Sequence, residues 1–221
     1  MLIVDGFDRW QAEPLVDNPL QASHDFAVAH ALALSGAVVW DSASNEAVAA
    51  GETDLAAYDA VLWMLGEEST EHETFDPTEQ ELITQYLDDG GHLLASGAEI
   101  GWDLVANGDP ADASFFSDVL RAEYVGDDSA TWAVVGTDGP AAGLPLSGFF
   151  TPATLVAEFA DELAPGRGSV GVIDYVGGFG GTAAVASEQV VLLGFPFETL
   201  DNPQSQAELM AGVLQAFGIQ R

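Results

Sequence analysis

The chain contains no cysteine and no lysine, and its side-chain positive charge is confined to four arginines, Arg9, Arg121, Arg167 and Arg221. Without cysteine there are no disulfides, no thiolate metal sites and no cysteine nucleophile. With 36 acidic residues and a formal charge of −32, the chain repels phosphate backbones and anionic headgroups, so neither nucleic acid nor a membrane surface is an expected partner. No apolar run approaches the roughly 20 residues of a membrane span. Met1 leads straight into Leu-Ile-Val without a basic segment or cleavage site, so the chain is expected to be soluble, either whole or as the mature domain of a longer secreted precursor.

A charge this lopsided opposes compaction unless ions screen it. Two settings account for it: a saline habitat, or an acidic surface that keeps a secreted protein in solution. Either suits binding of a hard cation. Hydrophobic residues make up 48% of the 221 positions, enough for one substantial core, so a single domain spanning 1–221 is expected.

Apolar runs alternating with helical patterns give the fold. Leu2 to Asp5 reads as a buried strand, His24 to Ser35 as a helix stopped by Gly36, Ala37 to Trp40 as a second strand and Tyr58 to Leu65 as a third. Pro77 to Leu87 reads as a helix with Asp76 as its N-cap, and His92 to Ser96 as a fourth strand. From about 123 to 193 the pattern becomes short β-rich runs (Trp132 to Val135, Val170 to Tyr175, Ala183 to Ala186, Val190 to Leu193), antiparallel until the last. A helix from about Gln204 to Phe217 then ends at Gly218. The expected class is α/β: a doubly wound, mostly parallel sheet with helices on both faces and an antiparallel β-rich region in the second half.

In such a sheet, ligands bind beyond the carboxyl ends of the strands. The expected loops there carry Asp5, Gly6, Phe7, Asp8, Arg9 and Trp10 after strand one and Asp41 to Glu46 after strand two. Gly66, Glu67, Glu68, Ser69 and Thr70 follow strand three, Ser96 to Asp103 strand four, and Phe197 to Thr199 the last strand. The candidate catalytic residues are Glu67, Glu99, Glu198 and Ser96. The candidate ligand-binding residues are Asp5, Asp8, Trp10, Gly66, Glu68, Gly97, Trp102 and Asp103. Carboxylates there can act as acid and base or hold Ca²⁺ or Mg²⁺, although no cofactor is required, and tryptophans beside acids suit sugars. A plainer account is that loops collect acids and that acids cap helices.

Other chemistries fit less well. Ser96 stands near a small-residue turn, yet His92 is roughly 13 Å away along an extended strand, too far to be its base. His72 lies between acids with no second histidine at ligand spacing, which argues against zinc. Asp5 and Asp8 are three residues apart with Arg9 the one nearby cation, which argues against phosphoryl transfer.

The segments GGHLLASGAEIG and GFPFETL resemble two regions of the class I glutamine amidotransferases, a turn after a strand that carries the family's cysteine and a later turn that carries its histidine. Gly194 and Phe197 match the second pattern. The cysteine position falls on Ser96 or Gly97, and Glu198 stands where the histidine would be, so the resemblance implies the scaffold without the amidotransferase reaction. The wider set VDGFDRW, DSASNEAV, GEEST, SGAEIGWDL and GFPFETL resembles an amidotransferase-like domain of multidomain secreted bacterial proteins. Those proteins are often labelled xanthan lyase or N-acetylmuramoyl-L-alanine amidase after neighbouring modules. The resemblance implies a flavodoxin-like fold, secretion and neighbouring domains in a longer parent chain.

Three functions remain open on the sequence. The first is a non-catalytic module binding a carbohydrate or peptide at the acidic edge. The second is a carboxylate-dependent glycan hydrolase, assisted by Ca²⁺ or Mg²⁺ where a cation is bound. The third is a structural spacer. The charge itself gives a test of habitat: if the acidity is an adaptation to brine, the unfolding midpoint rises steadily as NaCl is raised from about 0.1 M towards 1 M, where the screening length has shortened to about 3 Å. A midpoint indifferent to salt contradicts that adaptation.

Overall fold

The computed structural model describes residues 1–11, 26–34, 36, 38–146, 159–200 and 202–219. Its core is four parallel strands: β1 (Leu2–Asp5), β3 (Val61–Gly66), β4 (Leu93–Gly97) and β10 (Val190–Leu193). Each is apolar at successive positions and buried on both faces, as an interior parallel strand must be. Leu2, Val4, Val61, Trp63, Leu93, Ala95, Val190 and Leu192 point to one side. There they meet α2 (Asn45–Ala49) through Val48, and α3 (Pro77–Asp88) through Ile83, Tyr86 and Leu87. Ile3, Leu62, Leu94, Val191 and Leu193 face the other way, onto α1 (Phe26–Leu34) and α4 (Pro203–Ala216). The α/β fold with helices on both faces is therefore as the sequence indicates.

The second strand lies elsewhere than expected. β2 is Asp41–Ser44, paired in parallel with β1 from Leu2↔Asp41 to Asp5↔Ser44, whereas Val39 is 87% exposed. β2 forms an edge and buries little, so nothing requires it to be apolar. Its position is set by this pairing with β1, continued by the Met1 carbonyl, which accepts from Asp41 N–H at 3.0 Å. Asp41 to Ser44 is thus strand rather than loop, and α2 follows at once with Ser44 as its N-cap.

The parallel strands run in the order β2-β1-β3-β4-β10, so the order reverses between β1 and β3, where the carboxyl ends leave a crevice. Beyond β10 the sheet becomes antiparallel through β9 (Thr182–Ala186) and branches there. One arm runs to β8 (Val170–Tyr175) and β6 (Val134–Gly136), the other through a single pairing to β7 (Glu162–Pro165) and on to β5 (Ala122–Gly126). β5 and β7 have no expected counterpart, being short and interrupted by Glu123, Glu162 and Pro165. The predicted helix from His24 to Ser35 is seen as α1, with His24, Asp25 and Ser35 outside the described residues. No helix among the described residues is long and apolar enough to cross a membrane.

The predicted cap of α3 is present and stronger than expected. Asp76 accepts from Glu79 N–H at 2.8 Å while the Glu79 carboxyl accepts from Asp76 N–H at 2.9 Å, a reciprocal box. Asp76→Ala is expected to lower stability by about 1 kcal/mol in urea denaturation. A change below the error of that measurement would mean that the tertiary contacts of α3 hold its first turn without the cap.

Candidate functional site

The crevice between the carboxyl ends of β1 and β3 is closed by a carboxyl group. Glu68, with no exposed surface, accepts from Asp8 N–H at 2.6 Å and from Arg9 N–H at 3.2 Å through Oε2. This fixes the helical turn Asp8–Gln11 against the loop after β3. Arg9 returns the contact, its guanidinium donating to the Glu67 carbonyl at 2.9 Å. Asp5 turns the chain here, accepting from Phe7 N–H at 3.2 Å. Asp8 takes a hydrogen bond from the Asn45 side chain at 3.2 Å, which brings the first turn of α2 into the group. Trp10 belongs to the same turn, but its side chain lies outside the described part of the structure.

The glycines at this edge serve close packing. Gly66 has φ of 55°, and a Cβ there would stand 2.9 Å from the Phe7 ring. A Cβ on Gly97 would stand 2.8 Å from the Leu65 Cβ. Ala98 N–H, one residue on, donates to the Gly66 carbonyl at 2.8 Å, locking the ends of β3 and β4 together.

The turn after β4 is the most constrained part of the site. Glu99 adopts φ of 60°, a left-handed conformation that a non-glycine residue enters at a cost of order 1–3 kcal/mol, and a helical segment begins directly after it. Two contacts hold it there. Asp161, wholly buried, accepts from Gly101 N–H at 2.7 Å and Trp102 N–H at 3.3 Å. Gly101 itself lies so close to the Tyr124 ring that a Cβ would overlap it. Asp161 is in turn anchored by its backbone, its N–H donating to the Gly194 carbonyl at 2.8 Å and its carbonyl accepting from the Tyr175 hydroxyl at 2.9 Å.

Glu99, rather than Ser96 or Gly97, is therefore the residue presented by the turn. Ser96 lies inside β4 with no exposed surface, and its hydroxyl has no hydrogen-bond partner among the described residues, so it offers nothing to a ligand. Asp103 is committed as well, accepting from both the backbone N–H and the hydroxyl of Thr74, at 2.7 and 2.8 Å, and so pinning the loop before α3. Trp102 is half-buried, three residues after Glu99.

Burial raises the pKa of many of these acids. Glu99 is held above the ordinary carboxyl range chiefly by burial; the Ser69 hydroxyl and the Arg9 guanidinium draw it down, while Asp127 and Asp103 push it up. Burial pushes Glu198 up to about 8, with Asp5 and Glu67 adding to the rise. Both of its carboxyl oxygens are sealed from solvent with no partner on another described residue. Glu68 is pushed to about 8, again by burial, against the opposing pull of the Asp8 N–H. Glu79, similarly buried, rises to about 7. Of the sequence candidates, Glu198, Asp5 and Glu67 are thus electrostatic neighbours, while Glu99 sits with Arg9, Ser69 and Asp127. Among the described residues no three histidine, aspartate or glutamate side chains are arranged as a metal site.

Asp161, Tyr124 and Asp127 were not legible as site residues. They arrive from the antiparallel region, and nothing in their local sequence distinguishes them from other acids and aromatics. No family model matches the chain, and no curated protein matches it.

The raised acids fix the sign of a pH dependence. Between an ordinary pKa of 4.5 and the folded values of about 7 to 8, Glu68, Glu79 and Glu198 keep protons in the native state that the unfolded chain has released. Their contribution to stability is complete below pH 4.5 and is lost as pH rises to about 8. Urea denaturation between pH 5 and 8.5 is expected to show stability falling with pH. Glu68→Gln, which keeps an acceptor oxygen, should flatten the slope by up to one proton, about 1.4 kcal/mol per pH unit. A slope unchanged by that substitution would show that Glu68 is ionised in the folded protein.

Proposed function

We propose that the chain is an amidotransferase-like scaffold without amidotransferase chemistry, and that it binds a carbohydrate or peptide at the carboxyl edge of its sheet, with Glu99 at the centre of the site. The observation that carries this reading is the backbone of Glu99. A left-handed glutamate at the turn after a central strand, braced by a buried aspartate and by a glycine packed on a tyrosine, is a costly arrangement. Around it stand the hydroxyl of Ser69, the guanidinium of Arg9 and the carboxyl of Asp127. This mixture of one cation, one hydroxyl and several acceptors pairs with the hydroxyl and amide groups of a neutral polar ligand, and the half-buried Trp102 supplies an apolar face for a sugar ring. A secreted parent protein with neighbouring domains and a saline habitat belong to the same proposal.

A second reading, hydrolysis of glycans, draws on the carboxyl of Glu198, pushed up to about 8 by burial near Asp5 and Glu67; since both its oxygens are sealed from solvent, this reading requires the turn Phe197–Thr199 to open before Glu198 reaches a substrate. A protonated carboxyl can give its proton to a leaving glycosidic oxygen while a neighbouring carboxylate takes one from the attacking water, leaving two hydroxyl products. Ca²⁺ or Mg²⁺ would assist in this reading by holding substrate hydroxyls.

One set of measurements tests both. Neutral oligosaccharides and short peptides are titrated into wild type and Glu99→Gln by calorimetry, and the same mixtures are followed for product. The binding reading expects saturable binding of one ligand class, weakened at least tenfold by Glu99→Gln, with no turnover. Turnover abolished by Glu198→Gln would establish the hydrolase instead. Absence of binding in both classes, or affinity indifferent to Glu99, would defeat the proposal. A calorimetric trace that stays flat on adding Ca²⁺ would remove the cation.

A further inference from the structure

Two of the four arginines, Arg121 and Arg167, line one groove of about 430 Å³. The groove lies at the amino end of the parallel strands, on the opposite edge of the sheet from Glu99. Its walls include the last turn of α3, the turn that carries Arg167 between β7 and β8, and the turn from Ser187 to Val190 that leads into β10.

The backbones that carry the two arginines are tied to one another. Arg121 precedes β5 with φ of 64°, and its carbonyl accepts from Gly166 N–H at 3.0 Å and from the Ser169 hydroxyl at 2.7 Å. The segment that bears Arg167 is thereby tied to the backbone that bears Arg121. On the other wall, the Gln189 side chain donates to the Leu87 and Gly91 carbonyls at 2.7 and 3.1 Å, fixing that turn against the end of α3.

Acids outnumber arginines nine to one in this chain, 36 against 4. Even so, neither Arg121 nor Arg167 has an ion-pair partner among the described residues, although Asp88, Asp118 and Glu188 line the same groove. Two arginines thus line one groove on backbones tied together by hydrogen bonds, and guanidinium groups so placed are open to an external anion. The three rim carboxylates limit its charge, since a multiply charged group such as phosphate would meet their repulsion, and they offer acceptors for hydroxyl groups.

We propose that the Arg121–Arg167 groove is a binding site for a small hydroxylated carboxylate, whose carboxylate group is held by the guanidinium pair and whose hydroxyls face Asp88, Asp118 and Glu188. Guanidinium groups suit this ligand because their paired N–H donors match the two oxygens of a carboxylate. The site is independent of the one around Glu99, and the two proposals fail separately.

The test is calorimetry at fixed ionic strength with sodium gluconate, acetate and inorganic phosphate, on wild type, Arg167→Gln, Arg121→Gln and Glu99→Gln. Gluconate is expected to bind saturably, more tightly than acetate or phosphate. Its affinity should fall at least tenfold in each arginine variant and stay unchanged in Glu99→Gln. Arg167 is exposed in a turn, so Arg167→Gln keeps the test sound should Arg121→Gln, at its left-handed position, fold poorly. No saturable binding of gluconate, or affinity unaffected by Arg167→Gln, overturns the site. Phosphate binding more tightly than gluconate overturns the assignment of the ligand as a carboxylate.

Discussion

Four strands with apolar side chains on both faces leave no room for charge inside the sheet, and everything else about this protein follows from where the charge then goes. The faces are taken by helices and the strand interiors by Leu, Ile, Val and Trp. The acids of the described residues therefore lie on helices, in loops, at the ends of these strands and in the edge and antiparallel strands. At the carboxyl end the loops fold back on one another, so several acids are desolvated by the same packing that closes the sheet. Their raised pKa values are a result of the architecture, since a carboxyl sealed from water is cheaper neutral than ionised.

The parts of the fold that depend on period and apolarity were legible in the sequence. β1, β3, β4 and β10 are apolar because they are interior strands, and α3 is marked by Asp-Pro at its start with Glu two residues further on. What escaped is what does not need to be apolar. β2 is an edge strand whose sequence, Asp-Ser-Ala-Ser, carries no strand signal, and its place is decided by pairing with β1. β5 and β7 are likewise recognisable only through their partners.

The candidate site divides along the same line. That acids gather at the carboxyl edge could be read from their positions after apolar runs. Which of them is presented could not. Ser96 and Glu99 are three residues apart, and only the backbone shows that one lies within a strand and the other on the left-handed turn. Asp161 makes that turn what it is, yet it reaches the site from a distant part of the chain. Likewise, a solvent-facing aspartate and one clamped to Thr74 look alike in sequence, and Asp103 proves to be the second kind.

The edge strand β2 has a consequence for how this molecule lives among copies of itself. An unpaired strand margin is a template on which another chain can add, and a rich parallel sheet would otherwise be an invitation to do so. Here that margin is short and polar, and it opens with Asp41, whose carboxyl is held outward by the Tyr58 hydroxyl at 3.1 Å. A second molecule approaching in the same register brings its own Asp41 and its own large negative charge. The strand that is hardest to recognise in the sequence thus gives the sheet a short, acidic margin on that side, ill suited to pairing with a copy of itself.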